Sequence, residues 1–216
     1  MASSGRGGTR PSPAARSRRQ SQTKGDRRED AILDAVGALL ASRSIDAVTV
    51  DDIARSAGLS RSSFYFYFES RDAAVLALAA RVGGELQDLF SANTAELTGP
   101  ESIRRLCHQY LTRWRRVGHI LRAMDARYGT DPLLHEHWDQ LTATIRGRIA
   151  ALIEHERASG LAVPGPSSAA DLTRILVAMA WRVGFEASLR PPSEVADAKV
   201  ADAMATVWIR AVYGHD

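Results

Sequence analysis

Beyond residue 25, apolar side chains recur at intervals of three and four along almost the whole chain. No segment keeps the two-residue alternation of a half-buried strand. Ile32, Leu33, Val36, Leu39 and Leu40 share one face of a helix beginning near Asp26. Asp26 and Glu29 have the spacing of a capping box, and the Ser-Arg-Ser run at 42–44 ends the helix. Thr49 suits the N-cap of a second, short helix with Asp51 and Asp52 in its first turn, and Gly58 stops it. Ser60 caps a third helix that runs to about Phe66. Ser70 opens a long fourth helix through Val75, Leu78, Val82, Leu86, Leu89 and Phe90. Gly99-Pro100 is a clear break. Later helices are predicted over 101–117, 119–128, 132–158, 168–189 and 193–213. Their separators are Gly118, Gly129-Thr130, Pro164-Gly165-Pro166 and Pro191-Pro192. About nine helices without a convincing strand predict an all-α protein.

Composition changes this picture at the N-terminus. Residues 1–28 hold eight basic groups and one acid, net +7, while the other 188 of the 216 residues are net −4. Residues 1–25 are rich in Ser, Gly, Pro and Arg, too poor in apolar surface to fold, and read as a disordered basic leader. Such an arm suits nucleic acid, or serves only as a solubilising tail. Apolar stretches are short and broken by charge, so no segment reads as membrane-spanning. The leader has no apolar core of a secretory signal. The single cysteine, Cys107, rules out an intrachain disulfide framework, and a cytoplasmic location fits best.

The run from Thr49 to Phe68 carries the chemistry. Ala54 is small where two helices approach, and Gly58 sits at the turn between them. Ile53, Ala57, Leu59 and Phe64 fall inward, towards Leu39 and Leu40. Arg61, Ser62, Ser63, Tyr65 and Tyr67 fall outward. A glycine turn followed by a short helix with small polar and aromatic residues outward is the helix-turn-helix pattern. An arginine there can grip a guanine edge, and hydroxyls suit phosphate oxygens. Residues 29–72 nevertheless hold four basic and eight acidic groups. This head, at net −4, holds DNA poorly by itself, so the leader is expected to supply phosphate attraction.

The stretch T49-V-D-D-I-A-R-S-A-G-L-S-R-S-S-F-Y-F-Y-F-E-S-R71 resembles the N-terminal signature of the TetR family of repressors over roughly residues 28–78. F-Y-F-Y-F and the ending V207-W-I-R-A-V-Y-G214 are similar to the branch containing the repressor of ethionamide activation. Arg71 stands where the family usually has Lys, and Gly83-Gly84 interrupts the fourth helix. The glycines would serve either as a flexible point or for close helix packing. The resemblance implies a two-fold dimer on a palindromic operator, with the third helix of each subunit in the major groove. Thr49, Ser60, Tyr65, Tyr67 and Arg71 map to backbone contacts, and Arg61, Ser62 and Ser63 to base edges. Beyond the leader at 1–25, it also implies a DNA-binding domain at 26–72 and an effector-binding and dimerisation domain at 73–216.

In that last region, aromatic and thioether residues accumulate: Tyr110, Trp114, Met124 and Tyr128, then Trp138, Trp181, Phe185 and Trp208. They could line a pocket for a small hydrophobic effector, or simply form core. In the ethionamide-type branch the pocket is a long apolar channel. Trp138, Phe185 and Trp208 match it, and Ala180 replaces a polar amide. The last two helices carry stripes (Leu172, Ile175, Leu176, Met179, Val183; and Val200, Met204, Val207, Trp208, Ala211, Val212) that resemblance assigns to the homodimer contact. The resemblance thus implies a ligand-responsive repressor released by its effector.

Rival readings are weaker. Cys107-His108 are helical neighbours pointing about 100° apart, unsuited to a nucleophile–base pair. His135 and Asp139 share a face but His137 does not, so no metal site is expected. Phosphate-loop, nucleophile-elbow and dinucleotide motifs are absent, so neither enzyme nor cofactor is expected. The remaining alternative is a helical scaffold or small-molecule-binding protein without DNA binding.

Overall fold

The computed structural model of the protein describes residues 24–90 and 98–214. The expected leader, but for its last two residues, lies outside them. Eight α-helices and one 3-10 turn at Ile45–Ala47 make up the described residues, with no strand. Their order is α1 (Lys24–Leu40), α2 (Val50–Ser56), α3 (Arg61–Tyr67), α4 (Arg71–Asp88), α5 (Pro100–Asp125), α6 (Pro132–Ala158), α7 (Ala169–Leu189) and α8 (Glu194–Tyr213).

The head, α1 to α3, is built by short-range signals. Thr49 accepts from Asp52 N while the Asp52 carboxylate accepts from Thr49 N, a reciprocal capping box that starts α2. Gly58 turns the chain at φ +67°, where a side chain would be strained. Ser60 and Ser70 accept from Ser63 N and Ala73 N and so cap α3 and α4. Ile32, Val36, Ile53 and Phe64 are wholly buried between the three helices, closed below by Val48 and Phe68. Asp26 lies inside the first turn of α1, because that helix already begins at Lys24.

In the body, α5 is central and packs against α7, α8, α4 and α1. α5 corrects one expectation. Gly118 does not break a helix, and 101–117 and 119–128 do not form two. The residue is buried in mid-helix, and a Cβ there would come 2.5 Å from Ser188 Cβ on α7. Glycine lets two helices approach, and the break falls at 126–130 instead. Gly83 likewise faces α6, its would-be Cβ 3.1 Å from Leu141 Cδ2, whereas Gly84 faces open space. α4 runs continuously through both.

Polar ties fix the body. Arg115 donates from Nε to Asp197 Oδ2 at 2.7 Å and from its terminal nitrogens to Asp197 Oδ1 and to the carbonyls of Ala187 and Arg190. It thereby caps α7 and clamps α8. The hydrogen bonds from Arg115 hold the Asp197 carboxyl below its ordinary 3.8. A pKa lower in the folded than in the unfolded chain stabilises the fold above the unfolded value and ceases to do so as pH falls through the folded one. The stability gap between the native chain and Asp197→Asn should therefore be full at pH 7 and shrink below about pH 4 in urea titrations. A pH-independent gap would rule this ion pair out as its source.

Candidate DNA-binding face and effector chamber

α3 is anchored by Phe64, which is fully buried, so the opposite side of this two-turn helix faces solvent. Arg61 and Ser62 are exposed, Ser63 and Tyr67 are half-buried, and Tyr65 is exposed. The hydroxyl of Ser60 lies 2.9 Å from Ser62 Oγ and 2.8 Å from Ser63 Oγ, a small hydroxyl network at the helix start. Arg61 reaches back to Asp51 on α2 and along α3 to Tyr65. Thr49 is exposed at the start of α2. Arg71 is different. Its guanidinium turns to the carbonyls of Ile45 and Val48, at 3.3 and 3.4 Å, and to Asp72. In this arrangement it braces the loop before α2.

Sequence reasoning missed Phe66. Its ring is 83% exposed, the most exposed large apolar side chain described. It borders a surface groove of about 320 Å³ together with Ser62, Ser63, Tyr67 and, from α1, Arg28. The F-Y-F-Y-F run carried the signal, since on one helix its alternate aromatics cannot all face inward.

The head's acids are also less free than a charge count implies. Asp52 pairs with Arg43 and Asp51 with Arg61. The body contributes two more cations: Arg81 on α4 meets Asp30 and Asp34, and Arg127, just beyond α5, meets Asp46. His119 Nε2 of α5 lies 3.1 Å from the Gly37 carbonyl of α1, completing the head–body contact.

Among the described residues, two adjoining cavities lie in the body. The outer cleft is about 490 Å³ and lies where the ends of α5, α6 and α8 meet. At its edge the buried Glu156 carboxylate accepts from Gly99 N and from Tyr213 Oη, both at 2.7 Å. α5 has no side-chain cap of its own, so Glu156 serves as one from α6. The inner chamber is about 70 Å³ and almost wholly apolar, with Tyr110, Trp138, Trp181 and Ala180 in its wall. Phe90, Ile103, Leu106, Ile149 and Trp208 border both cavities.

Four of the eight aromatic and thioether candidates thus surround the chamber: Tyr110, Trp138, Trp181 and Trp208. The other four do not. Trp114 is fully buried behind Trp181, ring centres 4.7 Å apart. Met124 and Tyr128 border a separate small hollow beside Trp138. Tyr128 stacks on His135 and donates to Asp139. Phe185 lies beneath the Arg182 guanidinium and lines neither cavity. Cys107, another wall residue, is pushed up to about 12 by burial, so its thiol is protonated at neutral pH. At pH 8 the native protein should leave Cys107 unlabelled by a thiol reagent that reacts fully in denaturant. Rapid native labelling would show the chamber open to water.

Residues 103–214 match the family model described as the C-terminal domain of the transcriptional regulator EthR, and residues 32–78 match that of bacterial regulatory proteins of the tetR family. The HTH-type transcriptional regulator EthR of Mycobacterium tuberculosis H37Rv is 32% identical over 205 residues, covering 93% of this chain and 94% of the relative. The chain belongs to the TetR family.

Its EthR-type relatives include the regulator of that name from Mycolicibacterium smegmatis, 31% identical over 201 residues and 92% of both chains. Solved TetR-type structures agree in fold. Salmonella enterica GusR superposes with a TM-score of 0.74 at 15% identity, over 88% of this chain and 97% of its own. The flavonoid-responsive regulator FrrA gives 0.61 at 22% identity, over 88% and 99%. As a TetR-family member the protein is a helix-turn-helix transcriptional regulator and not an enzyme. Proteins of this family bind operator DNA, dimerise and bind small effectors. Among the described residues no helix is long and apolar enough to cross a membrane.

Proposed function

We propose that the protein is a homodimeric repressor that binds a palindromic operator through α3 and is released by a small hydrophobic effector. Residues 26–72 form the DNA-binding domain and 73–216 the effector and dimerisation domain. The observation that carries the reading is the two-sided character of α3, with Phe64 buried beneath and Arg61 and Ser62 exposed above. Arg61, Ser62 and Ser63 meet base edges. Thr49, Ser60, Tyr65, Tyr67 and Arg71 serve the phosphate backbone, Arg71 by bracing the loop that carries Thr49. Two heads of a dimer would enter successive major grooves about 34–36 Å apart. The leader adds sequence-independent attraction to a head whose acids outnumber its bases.

The adjoining cavities support an elongated apolar effector. The outer cleft has the volume of a small-molecule site, and the inner chamber would take only its tip. A ligand there wedges α5 from α6 and favours a head spacing that no longer fits the operator.

The dimer contact is assigned to the outer faces of α7 and α8. The stripes expected there divide in two. Leu176, Met204, Trp208 and Val212 are buried inward, while Leu172, Ile175, Met179 and Val183 on α7 and Val200, Val207 and Ala211 on α8 stay wholly or partly exposed. A footprint on the DNA upstream of the protein's own gene tests the whole reading. The expected result is a two-fold protected site, and no protection at any concentration that still spares random DNA would overturn it.

A further inference from the structure

Two acids open α2, and only one caps it. Asp52 completes the capping box with Thr49. Asp51 takes no part in it. Its carboxylate accepts instead from Arg61 Nη1 across the turn, at 3.1 Å to Oδ2 and 3.4 Å to Oδ1. Arg61 Nη2 stands 3.4 Å from Tyr65 Oη, and the guanidinium carbon lies 5.7 Å from the Tyr65 ring centre. Both charged side chains remain more than half exposed, at 60% and 54%, so the pair adds little to stability. A carboxylate on the face that meets phosphates also opposes binding. Its pairing with Arg61 costs affinity for phosphate, and any acid in the first turn would serve the α2 dipole without reaching Arg61, so the pairing itself points to discrimination.

We propose that Asp51 is a specificity-determining residue of operator recognition, a reading that rests on α3 being the recognition helix. A free arginine at this position would swing to the nearest phosphate and add affinity at every sequence. Asp51 cancels that charge, so the Asp51–Arg61 pair is neutral towards the DNA backbone. It also holds one guanidinium nitrogen while Tyr65 supports another. The remaining N–H groups then form a fixed fork, which a guanine edge with its two acceptors can satisfy. Other bases offer no such pair, and the arginine cannot recover the loss by turning to a phosphate. The carboxylate is thus the repulsive element that specificity requires beside an attractive one.

The test uses the full chain, with Asp51→Ala, Arg61→Ala and the double variant. Each is put through selection from a random-sequence duplex library and titrated with salt on one fixed duplex lacking the selected site. Arg61→Ala should lose about tenfold preference for guanine at one position of each half-site. Asp51→Ala should weaken the same preference, bind the fixed duplex more tightly, and steepen its salt dependence by about one in log–log slope. The double variant should match Arg61→Ala at that position. A guanine preference lost in Arg61→Ala but intact in Asp51→Ala overturns the proposal and leaves the recognition helix standing. A preference intact in both overturns the assignment of Arg61 as well. Asp51→Asn, which keeps the shape and removes the charge, carries the same expectations should the alanine variant melt early.

Discussion

Gly184→Ala should lower the stability of the protein by about 2 kcal/mol net, although alanine is the better helix former by about 1 kcal/mol. Gly184 lies inside α7, and a Cβ there would fall 2.4 Å from both Cε2 and Nε1 of Trp114. A flexible side-chain tip could give way at little cost. Trp114 cannot. Its indole is fully buried, with Tyr110 on one flank and Trp181 on the other, centres 6.3 and 4.7 Å away. Moving it displaces Trp181, which in turn meets Trp138 at 4.6 Å. Overpacking of this kind costs about 1–3 kcal/mol, sometimes more, and outweighs the gain in helix propensity. For a chain of this size the loss corresponds to a fall of roughly 4–8 °C in melting temperature. Gly84→Ala is the control, since nothing lies within 4 Å of its would-be Cβ. It should stabilise by up to about 1 kcal/mol. Thermal melts followed by circular dichroism measure both, and an unchanged Gly184→Ala melt would mean that Trp114 is free to move.

The second large effect is on assembly. Ile175 on α7 is 59% exposed and Val207 on α8 is 47% exposed. The double variant Ile175→Glu/Val207→Glu should stay folded, because neither side chain contributes to the subunit core. It should sediment as a monomer, because burying two carboxylates in an apolar contact is costly unless they find partners. Operator affinity should then fall about 100-fold or more, since each head would bind without the other's help. A variant that still sediments as a dimer would place the contact elsewhere.

What could be read from sequence follows the range of the forces involved. Thr49, Ser60 and Ser70 act within three residues of themselves, and the starts of α2, α3 and α4 lie where the pattern puts them. Gly118 reads as a helix break in sequence because its reason lies on another helix, 70 residues away at Ser188. The aromatic candidates divided evenly for a similar cause. A chamber wall and a packed core both call for bulky apolar side chains, and only the placement of α6 and α7 separates Trp181 from Trp114. Asp51 looked like a dipole-favoured first-turn acid, and its partnership with Arg61 spans the turn that brings α2 and α3 together.

The contact between His119 and the Gly37 carbonyl changes how the head is mounted. With Arg81 meeting Asp34 from α4 and Arg127 meeting Asp46 from beyond α5, the head touches the body through two different helices. A part held at one point can swing idly, but a part held at two must turn when the mounts slide past each other. A shift of α5 against α4 would therefore reach the head at both contacts, and the outcome expected from that geometry is a rotation of the intact head.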